Sequence, residues 1–341
     1  MNKWLFSAGA LFLLCVSISA PWVGGGFLDS SLGFASPANN GSRVLESARD
    51  FFNSLSGEDQ SKSVFAYGGT EHADWHFIPR ARRGVHLGEM SPDSRVKLNT
   101  LLKRSVSDIG HTKVEQIREL EGILRLLEGP GRRFARDPQL YFVTFYGAPS
   151  ETEKWAWRFE GHHLCLNFAF KGSQLISHTP AFYGANPTIV DAGPGRVLRV
   201  LAEEEELARQ LLHSLDTAKR SRCLGEEVPE EVPSTAKASY DGPFPEGVTA
   251  ANLNDFQKAL LKKLIGVYIQ NFRADVASRE WEQFSAAGGI DKIHFAWRGE
   301  LNLYEPHSYL IHGPTFVINY SNTQNNAAHI HSSFRRLEKD F

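Results

Sequence analysis

The sequence is poor in cysteine, carries no large excess of charge and, beyond its first residues, contains no long apolar run. Three Cys among 341 residues exclude a scaffold built on disulfides. A formal net charge of −2 leaves no electrostatic footprint for nucleic acid. Familiar signatures are missing as well: no GxGxxG after a strand, no P-loop, no GxSxG, no HExxH and no CxxC. The remaining composition, 42% apolar and 22% charged with 29 Gly and 16 Pro, belongs to a folded globular chain and excludes disorder, collagen-like repeats and coiled coils.

The one long apolar run opens the chain. Lys3 precedes WLFSAGALFLLCVSI, and small residues follow at Ser17, Ser19 and Ala20, so residues 1–20 read as a secretory signal peptide. The run falls short of the roughly 18 apolar residues that a membrane-spanning helix needs. The protein is therefore expected to be exported, periplasmic or extracellular, with no stable membrane span once the signal is removed. Residues 21–41, rich in Gly, Ser, Pro and Asn, read as a flexible leader, with folding beginning near Ser42. Of the remaining cysteines, Cys165 and Cys223 could pair in an oxidising compartment, or Cys165 could stay a buried thiol inside a strand.

Residues 225–250, with four prolines and a cluster of acids, predict an exposed connector between a first half at 42–224 and a second at 251–341. Helical spacing of apolar residues appears before it, from Val96 to Ile109, from Ile117 to Leu127 and across 197–218. It recurs after the connector, from Phe256 to Val267 and from Val276 to Phe284. Each half then carries a short strand-like run and a longer one: 140–147 and 155–170, then 293–300 and 307–320. Gly147 and Gly299, Trp157 and Tyr309, Gly161 and Gly313, Asn167 and Asn319, and Phe168 and Tyr320 match at a single offset, which argues for internal duplication. The expected fold is α+β, with two related helix–helix–strand–strand halves packed into one body. Along both long runs the apolar face changes parity at the glycine, which predicts bulged antiparallel strands at Gly161 and Gly313.

Histidine is the residue type left to carry chemistry. His162 and His163 follow Gly161, and His329 and His331 form an H-x-H whose side chains alternation places on one face of a strand. Such a pair with one further imidazole makes an open site for a divalent transition metal of unspecified identity, with His163, His329 and His331 as ligands. Glu160 and His162 are then the candidate catalytic carriers of protons, although Glu160 could equally form an ion pair with Arg158. The bland alternative is that the imidazoles are ordinary hydrogen-bonding residues. His72 and His76 have helical ligand spacing, but the chain from Trp75 to Pro79 reads as extended, so the pair is taken as coincidence. The basic cluster Arg80, Arg82 and Arg83 reads as a solvated loop.

The strings DWHFIPRARRG (74–84), LYFVTFYG (140–147), WRFEGHHLCLNF (157–168), TPAFYGANP (179–187), IHFAWRG (293–299) and GPTFVINYSNTQNNAAHIH (313–331), with the terminal KDF, resemble the domain of unknown function 3500 family. The resemblance runs over about 43–341, and it departs where SSFRR follows HIH in place of the family's Trp-Arg. It implies no activity. It does imply that Trp75, His76, Gly161, His162, His163, Gly184, Asn186, His329 and His331 belong to a shared pattern. Of these, Gly184 and Asn186 before Pro187 suggest a tight turn needing positive φ, and Trp75, like Trp157, suits the core. Two functions are carried forward: an exported metal-dependent enzyme, for example a hydrolase, and a non-catalytic exported binding module for a glycan, peptide or small ligand.

Overall fold

The computed structural model describes residues 37–131, 133–224, 227–338 and 340–341. The expected signal peptide and the leader up to residue 36 lie outside them. Residues 37–41 of that leader already belong to a helix, α1 (Pro37–Ser54). The other long helices are α2 (Pro92–Ser105), α3 (Asp108–Glu128), α4 (Ala202–Ser214), α5 (Asp255–Ile269) and α6 (Ala274–Ala286). Side-chain caps fix three of their starts: Ser91 accepts from the Ser94 N–H, Ser107 from Gly110, and Asn254 forms a capping box with Gln257. Ser107 divides the apolar run 96–109 into two helices, which leaves Val96 and Ile109 exposed where the spacing had put them inward. Among the described residues, no helix is long and apolar enough to cross a membrane.

Eight strands make the body of the sheet: β1 (Phe142–Tyr146), β2 (Lys154–Gly161), β3 (Leu164–Lys171), β4 (Ala181–Ala185), β5 (His294–Gly299), β6 (His307–His312), β7 (Phe316–Gln324) and β8 (His329–Arg336). They pair antiparallel in the order β1-β2-β3-β4-β8-β7-β6-β5. The order runs inward from both edges, so β4 and β8 meet in mid-sheet. Pairs of strands matched by the sequence offset occupy mirrored places. The fold is α+β, as expected.

The expected bulges at Gly161 and Gly313 are absent. Residues 155–170 form a hairpin, with Gly161 opposite Leu164 and His162–His163 as its turn. Residues 307–320 likewise fold back, with Gly313 bonded to Phe316 around Pro314–Thr315. Cross-strand partners in a hairpin share a face, so the turn itself carries the apolar set from odd to even numbers, as at Trp157 opposite Phe168. Periodicity alone cannot tell a two-residue turn from a bulge.

The helices cover one face of the sheet. Trp155, Trp157, Phe159, Leu164, Leu166, Tyr183, Tyr309, Ile318, Ile330 and Phe334 point into that layer with Leu101, Ile117, Leu211 and Leu264 from the helices. Trp75 packs on the opposite face with Phe77, Cys165 and Phe182, so both Trp75 and Trp157 are core residues. Cys165 and Cys223 are both buried and are not joined to each other. The segment expected as an exposed connector also lies on the second face. It buries Val228 and Val232, and the Ala236 N–H donates to the Trp75 carbonyl. Its four prolines signal irregular backbone, and irregular backbone here closes a sheet face.

Candidate metal centre

The site forms where the β2–β3 turn meets the start of β8. The backbone of His163 has φ 62°, a left-handed conformation that costs a non-glycine residue about 1–2 kcal/mol. Two hydrogen bonds hold it there: the His163 N–H donates to the Phe77 carbonyl at 2.9 Å, and its own carbonyl accepts from Gly184 at 2.8 Å. Strain of this kind persists only where neighbours fix it, and it concentrates at functional positions. The Tyr141 hydroxyl donates to the His162 carbonyl at 2.9 Å and secures the other end of the turn.

On β8, His331 lies opposite Gly184 of β4. A Cβ on Gly184 would stand 2.9 Å from the Ile330 carbonyl and 3.1 Å from the His163 ring, so glycine is needed for close approach. It is not needed for positive φ: Gly184 lies within a strand, and neither it nor Asn186 takes a left-handed conformation. The tight turn expected there is absent. Asn186 is buried at the end of β4 and precedes a cis Pro187.

These constraints bring together the three imidazoles expected from the sequence. The Nε2 atoms of His163 and His329 are 2.7 Å apart, and the ring of His331 lies 4.6 Å from His329 and 5.2 Å from His163. One ligand nitrogen from each of the three lies within 4.8 Å of the others. Burial holds the His163 imidazole far below its usual pKa and pulls His329 down to about 4, so both are neutral near pH 7. Neutral imidazole is the form that ligates a metal. The Nδ1 of His331 faces both oxygens of Glu231 at 2.8 Å, leaving Nε2 to point the other way. A carboxylate behind a ligating histidine orients the ring and fixes its tautomer. The set of three nitrogens therefore suits a divalent transition ion and leaves room for further ligands.

His162 stacks on His163 with ring centroids 3.7 Å apart but turns its Nδ1 to Glu121, 2.6 Å away on α3. Burial pushes the Glu121 carboxyl up to about 8 and drives the His162 imidazole well below its usual value. The pair thus holds an acid proton at neutral pH, as a carboxylic acid beside a neutral imidazole. Arg136 stands 3.2 Å from the same ring and is paired with Glu128. His162 and Glu121 also line an open cleft of about 290 Å³.

Glu160 lies apart from this dyad. Its carboxylate is buried between Arg82 at 3.5 Å and Arg158 at 3.7 Å and accepts from the His76 N–H at 3.4 Å. The His76 ring faces Asp74 at 3.5 Å, and His72 stacks on Tyr146 instead, so the pair His72 and His76 does not converge on one ion. Arg82 is not part of a solvated loop: its side chain is 2% exposed and donates to the carbonyls of His76, Ile78 and Gly161. These carbonyls, that of Arg80 and the Glu160 carboxylate together explain why a cation can be buried here.

The sequence reading missed Glu121 and Glu231. Glu121 is one acid among several on an amphipathic helix, and Glu231 is one of six in the Pro-rich segment, so nothing in their spacing marks them. No curated protein and no solved structure matches the chain. A family model described as Protein of unknown function (DUF3500) matches residues 38–341. The match covers almost every described residue, including the GHH turn and the HIH strand, and the chain belongs to the DUF3500 family.

Proposed function

We propose that His163, His329 and His331 bind one divalent transition metal ion, and that the protein is an exported metal-dependent enzyme, with hydrolysis as the reaction. The observation that carries this reading is the convergence of three mostly buried imidazoles from segments far apart in the chain, with burial holding His163 and His329 neutral. A divalent ion on three imidazoles acts as a Lewis acid toward a substrate or water. The chain's own contribution is proton handling and orientation. His162 faces the cleft and exchanges a proton with Glu121, while Glu231 holds the His331 tautomer. Glu160, clamped by two guanidinium groups, orients the backbone at His76 and takes no proton from a substrate.

Duplication of an ancestral half accounts for the mirrored strand order, and the second copy carries Pro314–Thr315 where the first carries His162–His163. Export rests on the apolar N-terminal run. The cleft beside His162 also fits the second reading, a non-catalytic module for a small ligand, because a pocket of this size needs no metal to bind one.

The test is elemental analysis of protein purified from its native compartment, alongside His163→Ala and His329→Ala. About one equivalent of a transition metal in the native protein and none in the variants is expected. Metal-free native protein whose melting temperature does not respond to Zn²⁺, Cu²⁺, Mn²⁺ or Fe²⁺ would leave only the binding module.

A further inference from the structure

The cleft beside His162 has a defined chemical character. Phe134, Leu140 and Phe142 supply an apolar wall on one side, and Arg80, Arg82 and Arg133 supply cations at the rim and floor. These cations are not equivalent. Arg82 is spent on four backbone carbonyls and Glu160, and Arg80 is engaged by Asp74 at 2.5 Å. Arg133 lies over the Phe134 ring at 5.2 Å and, among the described residues, has no carboxylate partner. Neither acid on the cleft wall is paired with it among the described residues. Glu121 is uncharged at neutral pH beside His162, and Asp137 turns an oxygen to the Gln139 N–H. A guanidinium over an aromatic ring keeps N–H donors available to receive a carboxylate or phosphate in bidentate fashion.

We infer that this cleft binds a small organic anion, its carboxylate or phosphate on Arg133 and a body the size of one ring against Phe134, Leu140 and Phe142. The cavity of about 290 Å³ lies at the lower end for small-molecule sites, which favours a single-ring or short-chain ligand over a glycan or a peptide. The anion would lie against His162, whose other face stacks on His163, so its reactive portion would be near the imidazole cluster. As a statement of substrate class the inference rests on the metal-enzyme reading, but binding of the anion does not.

The experiment separates the two. Binding of benzoate, phenyl phosphate and neutral benzamide is measured by calorimetry on metal-free protein and on Arg133→Ala and Arg133→Lys, and zinc uptake is measured separately on the parent. The expected result is saturable binding of at least one anion, the tighter one naming the head group, with benzamide much weaker. Arg133→Ala should weaken the anion by about tenfold or more, as loss of a charged hydrogen bond does, and Arg133→Lys should restore part of it. The anion should bind the metal-free parent whether or not that protein takes up zinc. Benzamide binding as tightly as benzoate, an unchanged affinity in Arg133→Ala, or no saturable binding of either anion overturns the inference and leaves the metal reading to its own test.

Discussion

The Nε2 atoms of His163 and His329, 166 residues apart in the chain, lie 2.7 Å from each other at the meeting of the β2–β3 turn and β8. Two uncharged imidazoles at this distance share one hydrogen between them or yield their nitrogens to a cation. The close approach is set by backbone, because Gly184 gives way beneath His163 and Phe77 and Gly184 fix the turn.

Glu231→Gln keeps a hydrogen-bonding group behind His331 but removes the charge that holds its tautomer. Metal affinity is expected to fall by about 10- to 100-fold, the usual effect of losing such a partner, with little change in the fold. Competition titration against a metal-binding dye reads it. An unchanged affinity would remove Glu231 from the site.

Gly184→Ala forces a methyl group to within 2.9 Å of the Ile330 carbonyl and 3.1 Å of the His163 ring. Overpacking of this kind costs about 1–3 kcal/mol and pushes His163 away from His329. Urea unfolding should show the loss, and metal affinity should fall with it. The enforced glycine would be disproved by a variant as stable as the parent.

Acid should destabilise the protein beginning near pH 6.5. Burial lowers the folded-state pKa of His72 and His178 to about 3 and of His307 to about 4, whereas the unfolded chain titrates near the usual histidine value of 6.5. The unfolded state therefore takes up protons that the native state refuses, and each group removes about 1.4 kcal/mol per pH unit between 6.5 and its folded value. The raised carboxyls of Glu121, Glu280 and Asp340 act in the opposite sense between their unfolded values and their folded ones and offset part of this loss, whereas the lowered imidazoles of His162, His163 and His329 add to it. Denaturant midpoints between pH 7 and 4.5 measure the balance. Stability that holds constant or increases on acidification would contradict the buried neutral state of these rings.

Asp340→Asn tests the C-terminal tail. Arg335 is fully buried and donates to Asp340 at 2.6 Å, to the Ser234 carbonyl at 2.8 Å and to the Lys237 carbonyl at 3.0 Å. Breaking a buried pair on one side costs about 3–5 kcal/mol, and here it would also loosen the Pro-rich segment that carries Glu231. A drop in melting temperature of several degrees is expected, and proteolysis should reach residues 227–241 first. Wild-type melting would mean that the tail is dispensable.

The imidazole set was legible in the sequence because two of its members share one strand. Alternation alone puts His329 and His331 on one face, and His163 stands out beside His162 where the other half has Pro314 and Thr315. The helices and strands were legible from periodicity for the same local reason, although the two turns were mistaken for bulges. Glu121 and Glu231 were not legible, since an acid on a helix or in a loop becomes a partner only through what folds against it.

The sequence by itself determined the α+β composition, the short-range placement of apolar and polar faces and which three imidazoles stand out, all properties that act over a few residues. Tertiary structure alone decided that β4 and β8 pair at the centre of the sheet, that Gly184 opens space for His163, and that the Pro-rich segment supplies a carboxylate to His331. Pairing between strands 150 residues apart is fixed by the burial of a whole sheet face, a sum over many contacts that no local pattern records.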